Sequence, residues 1–331
     1  MSWLEPEPFL RGTAWRDGDR PVRADPADLE RLPWDIAERA ALPIGVRVEF
    51  LAAPGTTAVE LRYRAAVPPA GDALRSLRHA FALWQGPRCL AEVFAEPAAE
   101  ATVRLRLPPG GGEFTVHPPE AQAPVVHALR AVDGALSPAP RRPRWLVQGD
   151  SITEGWWSTR PAHSWPAVAG RALGLDPVNL GYAGGARGEL PLAEQLSRLP
   201  GELITLAFGT NCWDRAPATP EWLHATVRAY VGLIRRGHPR TPLLLVSPVL
   251  RPAAEHTRNA LGATLTELRR AMERAVRDLA ADDPRLLLLP GRPLLGPEHL
   301  ADGLHPNDEG HARMARAVAA ALRTSGALPA G

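Results

Sequence analysis

Five short apolar runs separated by helical patterns constrain the second half of this chain more than any other feature. They are "RWLVQ" (144–148), "PVNLG" (177–181), "ELITLAFG" (202–209), "PLLLVSPV" (242–249) and "RLLLLPG" (285–291). Unbroken runs of this length suit strands buried on both faces. Between them Leu223, Val227, Val231 and Ile234 share one helical face, as do Leu261, Leu265, Leu268, Met272 and Val276. A last amphipathic helix carries Met314, Val318 and Leu322. Strand and helix in alternation imply a parallel sheet with right-handed crossovers, whose ligands bind beyond the carboxyl ends of the strands.

Up to about residue 140 the rhythm differs. "GVRVEFLA" (45–52), "AVELRYRAA" (58–66), "HAFALW" (79–84), "CLAEVFA" (89–95), "ATVRLRL" (101–107) and "GEFTVHP" (112–118) alternate apolar and polar positions, with Pro and Gly between them. That pattern predicts an antiparallel, jelly-roll-like β-sandwich, with one helix or an irregular approach over 26–41. "LSPAPRRPR" (136–144) is expected to hold no regular ladder and to mark the boundary. The division is thus 1–140 as an accessory sandwich and 141–331 as the domain that carries the chemistry.

The 331 residues suffice for two cores, and the net charge of +2 points to no polyanion. All 38 basic residues are arginine, so Schiff-base and lysine-nucleophile chemistry is excluded. No apolar stretch approaches the roughly 20 residues of a membrane helix, and the start, "MSWLEPEPFLRG", lacks the basic end and apolar core of a leader. Cys89 and Cys212 match no metal spacing and fit a reducing compartment. The expectation is a cytoplasmic protein without nucleic-acid or membrane partners and without a cofactor, its oligomeric state open.

The first apolar run of the second half ends in "LVQGDSITEGWW" (146–157). A serine at a strand-to-helix turn exposes its hydroxyl and directs backbone N–H groups at a reacting carbon, provided a base takes its proton. The residue two after Ser151 is Thr153, so the Gly-x-Ser-x-Gly elbow is absent. Asp150 or Ser151 capping a helix is the plainer alternative. Near the C-terminus "LADGLHPNDEGH" (300–311) places Asp302 three residues before His305, a spacing that lets the carboxylate fix the imidazole tautomer. A metal site of Asp150, Asp302, His299 and His305 is the weaker reading, because no ligand spacing supports it. "NLGYAGGARG" (179–188) and "FGTNCW" (208–213) each follow a predicted strand and offer N–H donors, from the glycines and from Asn211.

Gly149-Asp150-Ser151-Ile152, the Gly of "YAGG", Gly209-Thr210-Asn211 and Asp302-x-x-His305 stand in the order of the four blocks of SGNH hydrolases, also called GDSL esterases/lipases. The chain resembles that family over about residues 144 to 323. The resemblance implies a flavodoxin-like three-layer α/β/α fold, with Ser151 as nucleophile, His305 as base and Asp302 as its orienter. It further implies an oxyanion hole of the Ser151 and Gly184 N–H groups and the Asn211 amide, with Gly185 as fallback. Many members carry an acidic residue after the third-block Asn, where this chain has Cys212 and Trp213. The front half is similar to the sandwich that precedes some carbohydrate esterases and GDSL-type acyltransferases.

Trp156, Trp157 and Trp213 flank these blocks and could stack a sugar or an aromatic acyl group, although one Trp of the pair is expected in the core. Arg187 could meet an anionic substrate or coenzyme A phosphates, against an ordinary solvated role. The leading reading is a serine esterase that removes a small acyl group from a sugar or glycosylated small molecule. The alternatives are acyl transfer from a thioester to a natural-product hydroxyl, and a non-catalytic carbohydrate-binding protein.

Overall fold

The protein is described from a computed structural model covering residues 2–66 and 79–329. It contains two compact units. The first comprises Met1–Pro26, Ala41–Arg141 and Thr159–Ala162, and the second Ala27–Ala40, Arg142–Ser158 and His163–Gly331. A single cut at 140/141 therefore does not separate them, because 27–40 belongs to the second unit and 159–162 to the first.

The first unit is a β-sandwich. One sheet runs β1 (Leu10–Arg11), β4 (Arg47–Ala52), β9 (Gly112–His117), β6 (Ala80–Gln85) and β7 (Arg88–Phe94), with β11 (Leu136–Pro138) also on β4. The other runs β10 (Val125–Val132), β5 (Ala58–Ala65) and β8 (Ala98–Arg106), and β2 (Trp15–Asp17) and β3 (Arg20–Val22) form a separate ribbon. All pairings are antiparallel among these strands. Alternate positions of both sheets, including Val48, Phe50, Leu61, Phe81, Leu83, Leu105, Phe114 and Val116, fill one core. Burial of such side chains contributes about 1.5–3 kcal/mol each relative to exposure. The proline-rich stretch departs from expectation: Leu136–Pro138 does pair with β4, as a three-residue strand. Pro is tolerated there because so short an edge strand needs few N–H donors.

The second unit carries the parallel sheet, in the order β13 (Asp176–Gly181), β12 (Arg144–Gly149), β14 (Leu203–Ala207), β15 (Leu243–Val246) and β16 (Leu286–Leu289). This is the flavodoxin-like order, and its switch point lies at β12, between β13 and β14. Its helices are α1 (Trp34–Ala40), α2 (Ser151–Glu154), α3 (Trp165–Leu173), α4 (Leu190–Arg198), α5 (Pro220–Gly237), α6 (Pro252–Glu255), α7 (Leu265–Ala280) and α8 (Asp308–Thr324). The faces expected of α5 and α8 are buried, as is that of α7 from Leu265 onward. Leu261 is instead exposed, because α7 starts only after the Thr264 and Glu267 capping box. Trp145 and Trp165 meet edge to face at 5.9 Å in the core, and the Trp145 indole donates to Thr205 Oγ1 at 2.9 Å. Among the described residues no helix is long and apolar enough to cross a membrane.

Candidate active site

The strand ends at the switch point determine where the site forms. Gly149 and Gly181 are register partners at the ends of β12 and β13. A Cβ on Gly149 would lie 2.2 Å from both the Ala207 carbonyl oxygen and Thr153 Oγ1, and one on Gly181 would lie 2.2 Å from the Glu154 nitrogen. The strand ends on glycine because the single turn of α2 folds back over these two positions. Asp150 caps that turn, its carboxylate accepting from the Ile152 N–H at 2.9 Å. Capping and site formation are therefore compatible here, and Ser151 follows the cap directly.

Ser151 Oγ lies 2.9 Å from Nε2 of His305, and Nδ1 of His305 lies 2.7 Å from Oδ2 of Asp302. The other Asp302 oxygen accepts the N–H groups of His305 at 2.8 Å and Leu304 at 3.0 Å. Burial alone would raise the Asp302 pKa, but these bonds to His305 outweigh it and hold the carboxyl below its ordinary value. Asn307 then caps α8, accepting from Gly310, with Asp308 and Glu309 in the first turn. Asp150 behaves oppositely: burial, countered only in part by the Ile152 N–H, pushes its pKa up to about 7.

The expected donors also gather at these strand ends. Gly184 sits in a turn at φ +78° with open space around it. Its neighbours' N–H groups are committed, Ala183 to Glu154 Oε2 at 2.9 Å and Gly185 to the Tyr182 carbonyl at 3.0 Å. The fallback, Gly185, thus has its donor used within the turn. Asn211 is buried, and its amide donates to the Gly185 carbonyl at 2.8 Å, which ties the two donor loops together and leaves the second amide hydrogen.

The expected substrate contacts divide. Trp156 is not an open platform: its ring lies tilted at 31° against the His305 imidazole, the centroids 5.5 Å apart, and its indole N–H donates to Glu154 at 3.1 Å. Trp157 is 49% exposed and holds a left-handed backbone, φ +63°, which is strained for a bulky residue. Trp213 is half-buried, donates to the Thr257 carbonyl at 2.9 Å and carries the Arg251 guanidinium 4.8 Å over its ring. Arg187 is engaged within the fold. Its guanidinium pairs with Asp35 at 2.9 and 3.1 Å and with Glu189 at 2.7 Å, so its charge is met inside the fold. Cys212 is fully buried, and burial pushes its thiol well above the usual range.

Sequence reasoning missed Glu154 and the segment 27–40. Glu154 is 0% exposed and pairs with Arg39 of α1. Asp28 meets Arg198 at 3.2 Å, and Arg31 meets Glu194 at 2.5 Å. The acids of "PADLERLPWDIAERAA" were visible, but no local pattern shows that their partners lie more than 100 residues away.

Among the described residues no group of three or more His, Cys, Asp or Glu side chains converges as a metal site would require. The profile of the GDSL-like Lipase/Acylhydrolase family matches residues 147–313. The salicylyl-acyltransferase SsfX3 of a tetracycline biosynthetic pathway superposes with TM-score 0.85 at 24% identity, over 99% of this chain and 98% of that one. A putative GDSL-like lipase from Bacteroides ovatus superposes with TM-score 0.80 at 18% identity over 99% and 98%. A family two carbohydrate esterase from Cellvibrio japonicus gives 0.66 at 17% over 98% and 97%. No curated protein sequence matches the chain. The fold and the family profile define an enzyme that hydrolyses or transfers acyl groups. The chain belongs to the GDSL-like Lipase/Acylhydrolase family.

Proposed function

We propose that the protein is a metal-independent serine esterase that removes a small acyl group from a sugar or glycosylated small molecule. The observation that carries this reading is the continuous relay from Ser151 Oγ through the imidazole to Asp302, at 2.9 and 2.7 Å. Ser151 attacks the ester carbonyl as Nε2 of His305 takes its proton. The carbonyl oxygen, now an anion, is received by the N–H groups of Ser151 and Gly184 and by the Asn211 amide. Each such donor is worth roughly 3 kcal/mol in the transition state. Collapse breaks the bond to the leaving alkoxide, which accepts the proton from His305, and leaves an acyl-enzyme. A water molecule, its proton removed by the same imidazole, then attacks and frees the acid and the serine.

Acyl transfer to an alcohol differs only in the second nucleophile. It is the second reading, supported by the full-length likeness to the salicylyl-acyltransferase and by an exposed aromatic residue, Trp157, close after the nucleophile.

Labelling with a fluorophosphonate followed by peptide mapping tests the mechanism: modification at Ser151 is expected, and modification elsewhere overturns it. Product analysis with acetylated sugars and with an acyl thioester, with and without an alcohol, separates the two readings. Transfer outpacing hydrolysis would replace the first with the second.

A further inference from the structure

We propose that Glu154 is a positioning residue that sets, from one buried carboxylate, both the ring against His305 and the turn that carries Gly184. The inference rests on the catalytic roles proposed above and adds a residue to which they assign nothing. Glu154 ends the single turn of α2, three residues after Ser151, and has no solvent exposure. One of its oxygens, Oε2, accepts the N–H of Ala183, the residue just before Gly184, at 2.9 Å. The other, Oε1, accepts the Trp156 indole N–H at 3.1 Å and the Arg39 guanidinium.

Each arm ends on a different part of the machinery. Trp156 reaches its place because Gly155, at φ +93°, reverses the chain after α2, and the indole then packs tilted against the imidazole, centroids 5.5 Å apart. The Ala183 arm fixes the turn that carries Gly184, whose N–H the proposed mechanism assigns to the oxyanion. Three donors converge on this carboxylate, and a buried anion is tolerated only when so paired. An amide of the same shape would turn an NH₂ group toward at least one of those donors. Arg39 comes from α1 and also lies 5.7 Å over the Trp156 ring, so the segment 27–40 completes the support. A carboxylate is needed here because acceptors alone are required, on both oxygens at once.

The test compares wild type, Ser151→Ala, Glu154→Gln and Trp156→Phe in aryl acetate hydrolysis, with active sites counted by fluorophosphonate and folding followed by thermal melts. Glu154→Gln is expected to lower kcat per titrated site about 10- to 100-fold, the effect of misplacing reacting groups by about 1 Å, with KM within about threefold. Trp156→Phe, which keeps a ring but has no N–H for Glu154, should fall between wild type and Glu154→Gln. The acid limb of kcat/KM should also move to lower pH in Glu154→Gln. The charged groups bearing on the imidazole include Asp302 on its own loop and, beyond the indole, Glu154 of α2 and Arg39 of α1. Removing the negative charge of Glu154 and loosening the ring face both disfavour the imidazolium. A residue that only braced the fold would lower melting temperature and site count while leaving kcat per site and the pH limb unchanged.

A kcat per site within twofold of wild type in folded Glu154→Gln overturns the proposal. If that variant does not fold, Trp156→Phe decides, and a wild-type kcat there overturns it equally. Activity in wild type that is lost in Ser151→Ala upholds the mechanism independently of either result. Activity retained in Ser151→Ala, or an inert wild type, removes that mechanism and this inference with it.

Discussion

Asp302 holds His305 twice, with one oxygen on the imidazole at 2.7 Å and the other on the backbone N–H of the same residue at 2.8 Å. The ring can therefore neither rotate nor change tautomer without breaking a bond to a charged group. Asp302→Asn is expected to preserve the backbone bond while presenting an NH₂ group to Nδ1. The imidazole would then carry its hydrogen on Nε2, facing Ser151, and could accept no proton. The expected loss is roughly 10³- to 10⁴-fold in kcat with little change in KM, read by steady-state ester hydrolysis. Because the Asp302 pKa is held below its ordinary value, its contribution to stability is present above about pH 4 and is lost as pH falls through the folded value.

Asp150 predicts a pH dependence of the opposite sign. Its pKa is pushed up to about 7 by burial, so the folded protein keeps a proton that the unfolded chain releases near pH 4. The associated stability is complete below about pH 4 and declines as pH rises toward 7. A shift of this size corresponds to about 4 kcal/mol. Asn caps a helix as well as Asp does, so Asp150→Asn should fold and show none of this decline. Urea denaturation of both proteins between pH 4 and 8 is the measurement. Parallel curves for the two would contradict the assignment.

Gly181→Ala should be poorly tolerated. The added methyl would lie 2.2 Å from the Glu154 backbone, in the core of the turn that carries Ser151. A loss of about 1–3 kcal/mol is expected, with a matching fall in fluorophosphonate-reactive sites. Gly174→Ala is the control for backbone strain alone, since Gly174 holds φ +65° and nothing lies within 4 Å of its Cβ position.

Trp157 is expected to act on substrate rather than on folding. Trp157→Gly relieves a left-handed backbone that glycine adopts freely, so the melting temperature should not fall. The Michaelis constant for an aromatic acyl ester should rise about tenfold, the value of one lost ring contact. That for an acetate ester should stay near wild type. Equal effects on both esters would remove Trp157 from the acyl side of the site.

The reach of sequence reasoning follows the range of the forces involved. The parallel strands were legible because burial on both faces leaves unbroken apolar runs, and the switch-point order places Ser151, Gly184 and Asn211 at neighbouring strand ends. The pairing of Ser151 with His305 was legible as chemistry: a hydroxyl needs a base, and Asp302 stands where an orienter should. Trp156 and Trp157 were legible only as a pair, because which ring turns inward is decided by the backbone reversal at Gly155. Glu154 looked like an ordinary helical acid. Its burial depends on Arg39, 115 residues earlier, and a charge whose partner is that distant leaves no local periodicity. Strand β10, at Val125–Val132, was missed because its alternation is interrupted by a bulge between Val126 and Ala128.

The segment 27–40 has a consequence for how such a protein can be rebuilt. Asp35, Ile36 and Arg39 serve the parallel-sheet unit, yet they are encoded ahead of most of the sandwich. A gene fragment beginning at residue 142 would retain the serine, the histidine and every parallel strand while discarding Arg39, which pairs with Glu154, and Asp35, which pairs with Arg187. Cassette exchange between relatives would need at least three crossover points, at 26/27, 40/41 and 141/142, with the fourteen-residue insert transplanted alongside its recipient.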